Sequence, residues 1–280
     1  MNKSVPIKIL PFVFVFLIAA GSLFAQREMK IQLAFADSLY NSGNYYQAIT
    51  EYKRFLSFDK DSSAAGYCFS QIAESYKAGG FYGNAENYFR KAMKFEKSIN
   101  SQKITEVELI RTMILSGKTN RALNELDTFE NKFGDSLIAD YWRGWTYLLN
   151  NQPELASFYF NESLAGKEIS ERLNKIINDE YSLFNIKLMS YILPGSGQIY
   201  TGHYFSGAVS FAWNALFGYM TVKAFKDRRI LEGLLIGDLL WLRFYKGNIQ
   251  NAERFAKEKN IKLVNQLIEN LQNNYKGKKP

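Results

Sequence analysis

The chain is poor in the side chains on which most catalysis depends. Its 280 residues include one cysteine, Cys68, and one histidine, His203. A single cysteine excludes an intramolecular disulfide framework and any cysteine-cluster zinc or iron–sulfur site. A single histidine excludes multi-histidine metal sites and leaves one candidate for a histidine-based triad. Proline is scarce as well, with 5 in all, and the charged share of 22% stands against 47% hydrophobic residues. That is not the makeup of a disordered or collagen-like chain. No nucleophile–base pairing and no ligand set emerges, so the sequence predicts no enzyme, no catalytic residue, no cofactor and no metal. Cys68 reads as a small core residue. His203 reads as an interfacial residue rather than a base.

The residues that are present begin with an address. Lys3 and Lys8 open the chain, an apolar run extends from Ile9 to Ala20, and Gly21 to Ala25 supplies small residues. Basic, apolar and then small is the order of a signal peptide, here 1–25 with cleavage after Ala25. The alternative is an uncleaved anchor helix. Either reading puts the chain beyond Ala25 outside the cytoplasm, because the lysines favour the inside. The Phe24-Ala25-Gln26 ending is similar to export signals common in the Bacteroidetes.

The middle is a repeat. Ala48, Ala85, Ala122 and Ala156 recur at spacings of 37, 37 and 34 residues. Five residues before each stands a turn residue: Gly43, Gly80, Gly117 or Asn151. Nine before each is a large side chain (Leu39, Tyr76, Met113, Tyr147), and four after is another (Tyr52, Phe89, Leu126, Phe160). Twelve before stands Ala36, Ala73, Ile110 or Gly144. Small residues let two antiparallel helices approach, large ones fill the groove between them, and glycine supplies the left-handed turn. Such a pair cannot bury its apolar face alone, so pairs stack.

This pattern resembles the tetratricopeptide repeat. The second repeat carries it best, with Phe69, Ile72, Ala73, Tyr76, Gly80, Tyr82, Ala85, Phe89 and Ala92 on the family's signature positions. The resemblance covers about 30–167 and implies an all-α solenoid of helical hairpins over 26–167, in four repeats. It also implies a scaffold whose concave face holds an unknown protein or peptide partner. Tyr141, Trp142 and Trp145 form an aromatic cluster in the fourth repeat. They are either a candidate partner surface or packing against the next helix.

After a linking helix at 168–187 the chain changes character. Residues 26–185 carry 19 basic and 21 acidic side chains, whereas residues 186–280 carry 14 and 6. An anionic membrane surface explains that excess better than nucleic acid does for an exported protein, so lipid is expected as a partner and nucleic acid is not. From Leu188 to Val222 no charged residue occurs. A basic loop, Lys223 to Arg229, separates this stretch from a second apolar run, Ile230 to Tyr245. The two predict a membrane helical hairpin over 188–246. Gly207, Ser210, Asn214 and Gly218 form a small and polar stripe facing Gly233 and Gly237, with Asn214 able to hydrogen-bond across. Asp238 reads either as part of an ion or proton path or as a structural polar contact. An amphipathic basic helix is expected over 247–280, docked on the repeats or lying on the membrane surface.

Between the linking helix and the first apolar helix lies Pro194-Gly195-Ser196-Gly197-Gln198-Ile199-Tyr200-Thr201-Gly202. It has no Gly-Lys-Ser/Thr and so is no phosphate-binding loop. It resembles the Pro-Gly-x-Gly-Gln-x-Tyr-x-Gly motif of small two-helix membrane domains in bacterial envelope proteins, and Tyr245-x-Gly247-Asn248-Ile249-x-x-Ala252 resembles the same proteins. The resemblance implies no reaction. It implies that Pro194, Gly195, Gly197, Gln198, Tyr200 and Gly202 shape a tight membrane-edge turn, with Gln198 and Tyr200 giving interfacial hydrogen bonds. The expected protein is an envelope scaffold tethered to the inner membrane, with its repeats on the periplasmic side. The second reading is a membrane-active module that assists insertion, transport or lipid handling.

Overall fold

A computed structural model describes residues 27–59, 62 and 64–280. The expected signal peptide lies outside the described residues. These are all-α, with no strand among them. The order is α1 (27–41), α2 (Tyr45–Phe58), α3 (Ala65–Ala78), α4 (Tyr82–Phe95), α5 (Ile99–Leu115), α6 (Thr119–Phe133), α7 (Ser136–Leu149), α8 (Pro153–Glu162), α9 (Lys167–Asp179), α10 (Leu183–Ile192), α11 (Ser196–Tyr200), α12 (Tyr204–Lys226), α13 (Ile230–Leu235) and α14 (Leu242–Asn274). The chain divides inside α7 into two compact units, one ending at Trp142 and the other Arg143–Lys279.

The repeated helical hairpins arise from one turn used again and again. Gly43, Gly80 and Gly117 have φ of 79°, 78° and 70°, and Asn151 has φ of 55°. At each, the backbone N–H one residue later reaches back to the large residue of the pattern. Asn44 donates to the Leu39 carbonyl at 2.9 Å, Phe81 to Tyr76 at 2.8 Å, Lys118 to Met113 at 3.1 Å and Gln152 to Tyr147 at 3.0 Å. The bond caps a carbonyl at the end of the first helix, and the left-handed residue reverses the chain into the second. The pattern's alanines and their +4 neighbours are fully buried: Ala48 with Tyr52, Ala85 with Phe89, Ala122 with Leu126, Ala156 with Phe160. A Cβ on Gly144 would come within 2.7 Å of the Phe160 ring. That is why the fourth repeat carries glycine where the first two carry alanine. The hairpins are consistent with a tetratricopeptide-like solenoid.

In the first compact unit, ion pairs tie one hairpin to the next. Lys77 of α3 meets Glu108 of α5 at 2.5 Å and Glu74 at 2.8 Å. Arg90 of α4 meets Glu125 of α6 at 2.9 Å, and Glu86 receives both Lys118 and Arg121. Burial raises the Glu74 carboxyl, against the pull of Lys77. Lys77 and Arg111 together overcome the same burial at Glu108 and hold it low. Cys68 is fully buried, and burial, with Asp59 and Asp37 nearby, pushes its thiol up to about 12. Tyr141 and Trp142 are buried too, ring edge to ring face at 5.1 Å, and the Arg111 guanidinium covers Trp142 at 5.4 Å.

In the second compact unit, Trp145 is buried between Phe160 (5.7 Å) and Tyr275 (6.3 Å). The candidate partner surface at Tyr141, Trp142 and Trp145 is therefore corrected to interior packing. The helix that begins at Ile230 continues without a break through residue 247 to Asn274, with one π turn over Ile236–Trp241. Its distal part docks. Ile186 packs with Ala252 and Ala256. The Asn260 amide takes both backbone groups of Tyr181, at 2.9 and 3.1 Å, and the Tyr275 hydroxyl donates to the Ala165 carbonyl at 2.9 Å. No helix among the described residues is long and apolar enough to cross a membrane. In α12 the stripe of Ser, Gly, Asn and Thr dilutes the apolar residues.

Candidate functional site

The two sequence motifs of the tail meet. Pro194 ends α10, and Gly195, at φ 93°, starts α11. The Gly195 backbone lies against that of Gly207, near the start of α12. A Cβ on Gly195 would sit 2.2 Å from the Gly207 carbonyl oxygen, and one on Gly207 would sit 2.5 Å from Ile199 Cγ1. A Cβ on Gly197 would sit 2.9 Å from that of Ala252 and 2.3 Å from Ser190 Oγ. Only glycine fits at these three positions. Gly202, at φ 83°, repeats the hairpin turn of the repeats, with the His203 N–H donating to the Gln198 carbonyl at 2.8 Å.

Asn248 closes the arrangement. Its Oδ1 accepts from the Gly195 N–H at 2.7 Å, and its Nδ2 donates to the Ser190 carbonyl at 3.1 Å. Gln198 Nε2 donates to Ser210 Oγ and to the Asn248 carbonyl, both at 3.1 Å. The Tyr245 hydroxyl donates to the Tyr191 carbonyl at 2.7 Å. Four helices, α10, α11, α12 and α14, are thus joined by one buried polar network. In a low-dielectric interior each satisfied pair strengthens its neighbours, and each broken one is costly. The interfacial role expected of Gln198 is corrected here, because its side chain is fully buried and bonds inward. Tyr200 is exposed and meets Tyr181 edge to face at 5.6 Å. His203 stacks on Phe255, 3.7 Å between ring centroids, and serves as packing.

Above this lock, α12 pairs with the helix from Ile230. A Cβ on Gly237 would lie 3.2 Å from Thr221 Cγ2, on Gly233 3.1 Å from the Phe225 ring, and on Gly218 3.4 Å from Trp241. Across this pair the glycines admit larger neighbours rather than one another: Gly218 faces Trp241, Gly233 faces Phe225 and Gly237 faces Thr221, while Gly207 meets Gly195 and Ser210 meets Gln198 on the α11 side. Asn214 does not bond across. Its Nδ2 turns back to the Ser210 carbonyl at 2.8 Å, a bond available within its own helix. The buried residues of α12 are Gly207, Asn214, Thr221 and Ala224, all small or polar. Its large apolar residues point outward, with Phe205 83% and Tyr219 64% exposed, and Leu231 on α13 is 79% exposed. Lys226 to Glu232 form the charged tip, where Arg229 bridges Asp227 and Glu232.

A groove of about 840 Å³ runs between α12 and α14, and Asn214 and Asp238 both line it. Asp238 lies in the π turn and is exposed to the groove. Sequence reasoning singled out the glycines, Asn214 and Asp238. It missed Ser190, which carries no signal, and the partner of Asn248, which lies 53 residues away. The chain matches no family model and no curated protein.

Proposed function

We propose that the protein is a non-enzymatic scaffold of the bacterial cell envelope. An exported array of helical hairpins binds a partner protein or peptide on the periplasmic side, and the α12–α13 hairpin tethers the array to the inner membrane. The observation that carries this reading is the inverted sidedness of the hairpin. The residues that α12 and α13 bury fully are Gly207, Asn214, Thr221, Ala224 and Gly233, while large apolar side chains such as Phe205, Tyr219 and Leu231 lie outside. In water that arrangement is costly, at about 25 cal/mol per Å² of apolar surface left exposed. In lipid it is the favourable one, because close packing at glycines and hydrogen bonds hold helices together where burial cannot. Pairing also shields the polar stripe that neither helix could carry alone into hydrocarbon. The basic tip fits an anionic leaflet surface.

The test is carbonate extraction of membranes from cells making the full chain. The expected result is a protein that stays in the pellet and is released only by detergent. Recovery of the full-length chain in the supernatant overturns the tether.

A further inference from the structure

The groove beside the hairpin holds a buried acceptor and, at the same level, two cations. Asn214 is 5% exposed, and the bond from its Nδ2 to the Ser210 carbonyl fixes which end of the amide is the donor. The other end, Oδ1, is buried and has no hydrogen-bond partner among the described residues. A buried acceptor left unmade is costly, so it calls for an explanation. The pairing of the two helices fixes what lies opposite it. Phe225 meets Gly233, Thr221 meets Gly237 and Gly218 meets Trp241. Carried one turn further, that antiparallel register sets Asn214 beside Phe244 and Tyr245. The ring of Trp213, the residue before Asn214, stacks on Phe244 at 5.7 Å. Arg243 and Lys246 flank this level, about 4.5 Å of rise apart. Both are exposed, both line the groove with Asn214, and neither has an ion-pair partner among the described residues. Asp238 lines the groove nearer the tip, about 9 Å of rise from Phe244, and so lies away from this level. Lys246 stands about 25 Å along the helix from Arg229 in the tip, and the hydrocarbon core of a bilayer is about 30 Å thick.

We propose that the groove at this level binds the headgroup of an anionic phospholipid bearing a free hydroxyl, of the phosphatidylglycerol class, in the leaflet opposite the tip. The inference rests on the membrane reading above. With the tip at one surface, Arg243 and Lys246 come close to the headgroups of the other leaflet, and long cationic side chains reach outward to them. Charge complementarity selects the ligand. Two cations one turn apart take a phosphate. Asn214 Oδ1 only accepts, so the ligand must bring an O–H or an N–H. An ammonium donor, as in ethanolamine or serine headgroups, would stand against the two cations beside it. A hydroxyl brings the donor without the charge. Choline headgroups bring no donor and leave Asn214 Oδ1 unsatisfied.

The test is competition for the purified full chain in detergent. The probe is phosphatidylglycerol labelled on an acyl chain. The competitors are unlabelled phosphatidylglycerol, phosphatidylserine of the same acyl chains and net charge, and free glycerol phosphate. Phosphatidylglycerol should displace the probe at about tenfold lower concentration than phosphatidylserine, the size of one buried acceptor satisfied. Asn214→Ala should bring that ratio close to one while both lipids still bind, which reports that the variant is folded. Arg243→Gln with Lys246→Gln, at exposed positions, should weaken both lipids about tenfold. Asp238→Asn should change neither by more than about twofold. Equal competition by the two lipids for the parent chain overturns the headgroup site, as does an Asn214→Ala chain that keeps the tenfold preference. A change from Asp238→Asn as large as that from the cation pair overturns the level assigned to the ligand. Displacement by glycerol phosphate at the same concentration as the lipid assigns the site to soluble phosphates and overturns the lipid. Carbonate extraction judges the tether separately. A chain that pellets but shows equal competition loses the headgroup site and keeps the tether, and one recovered in the supernatant loses the tether whatever its competition.

Discussion

In the repeats, the residues that seat one helix on the next are alanines and large apolar side chains, and the charges, including the buried Glu86 and Glu106, are paired between helices. Ala85, Phe89, Ala122 and Leu126 are fully buried, while Lys77, Arg90 and Lys118 reach to the neighbouring hairpin. In the α12–α13 hairpin the order is reversed. Gly207, Asn214, Thr221 and Gly233 are inside, and Phe205, Tyr219 and Leu231 are outside. Yet both regions turn the chain with a left-handed residue and the same backbone bond, at Gly43, Gly80 and Gly117 as at Arg228, where the Arg229 N–H donates to the Ala224 carbonyl at 2.8 Å. Turn chemistry is thus the same in both, whereas sidedness differs, and under the tether proposed above the difference follows the medium that each surface meets. Water drives apolar groups inward. Lipid exerts no such drive and leaves close packing and polar contacts to hold helices together.

The sharpest test of that contrast swaps the same residue in both regions. Gly195→Ala forces a Cβ at φ 93° to within 2.2 Å of the Gly207 carbonyl oxygen. It is expected to cost about 3–4 kcal/mol, from left-handed strain plus overpacking. Gly80→Ala, at φ 78° with nothing within 4 Å, is expected to cost about 1–2 kcal/mol from strain alone. Urea unfolding monitored by tryptophan fluorescence, in detergent, measures both. Equal losses would remove the claim that the turn at Gly195 is locked by its contact with α12.

A second test concerns charge. Lys77→Met leaves Glu74 and Glu108 facing each other, half-buried, with Arg111 alone to compensate. A loss of about 2 kcal/mol at pH 7 is expected, less than for a fully buried pair because these groups keep some solvent. Glu74 already has a raised pKa, so protonation should relieve the repulsion and the loss should shrink on acidification toward about pH 5. The matching change in the hairpin tip, Arg229→Met, removes only exposed pairs and should fall within about 0.5 kcal/mol. A tip variant as damaging as Lys77→Met would contradict the division between the two regions.

The smallest effect is a pH dependence. Hydrogen bonds from Lys257 and Lys187 hold the Glu253 carboxyl below its ordinary value. A depressed folded pKa contributes stability above the unfolded value, about 4.3 for a glutamate, and that contribution disappears as pH falls through the folded one. Lys187 lies on α10 and Glu253 on α14, 2.9 Å apart. Hydrogen exchange of the α10 amides should therefore quicken modestly between about pH 6 and pH 3. Glu253→Gln should exchange at the faster rate throughout. Exchange that is pH-corrected yet unchanged in both proteins would assign the α10–α14 contact to apolar packing alone.

Much of the repeat region was legible from spacing. The residue five before each alanine adopts the left-handed turn in all four repeats, because the helix period and the φ preference of glycine and asparagine are local properties. The stripe of Gly207, Asn214 and Gly218 was legible as an inner face for the same reason. The Trp142–Trp145 cluster was ambiguous in sequence, since a helix carrying aromatics on one side reads alike whether that side is covered or bare. Gln198 was misplaced at an interface. Its partners, Ser210 and the Asn248 carbonyl, lie on other helices, and a glutamine's spacing says nothing about where its amide ends.

An all-helical chain, its period, the residues at its turns and the inner face of its hairpin were all written into the order of the amino acids. They come from 3.6-residue periodicity and backbone steric preferences. Three outcomes needed the folded molecule. Asn248 closes on Gly195, the helix from Ile230 runs on past residue 247 to dock against α10, and Asn214 faces a groove with an acceptor to spare. Those outcomes depend on which distant groups arrive at the same place, and hydrogen-bond satisfaction is a property of the assembled neighbourhood rather than of any stretch of chain.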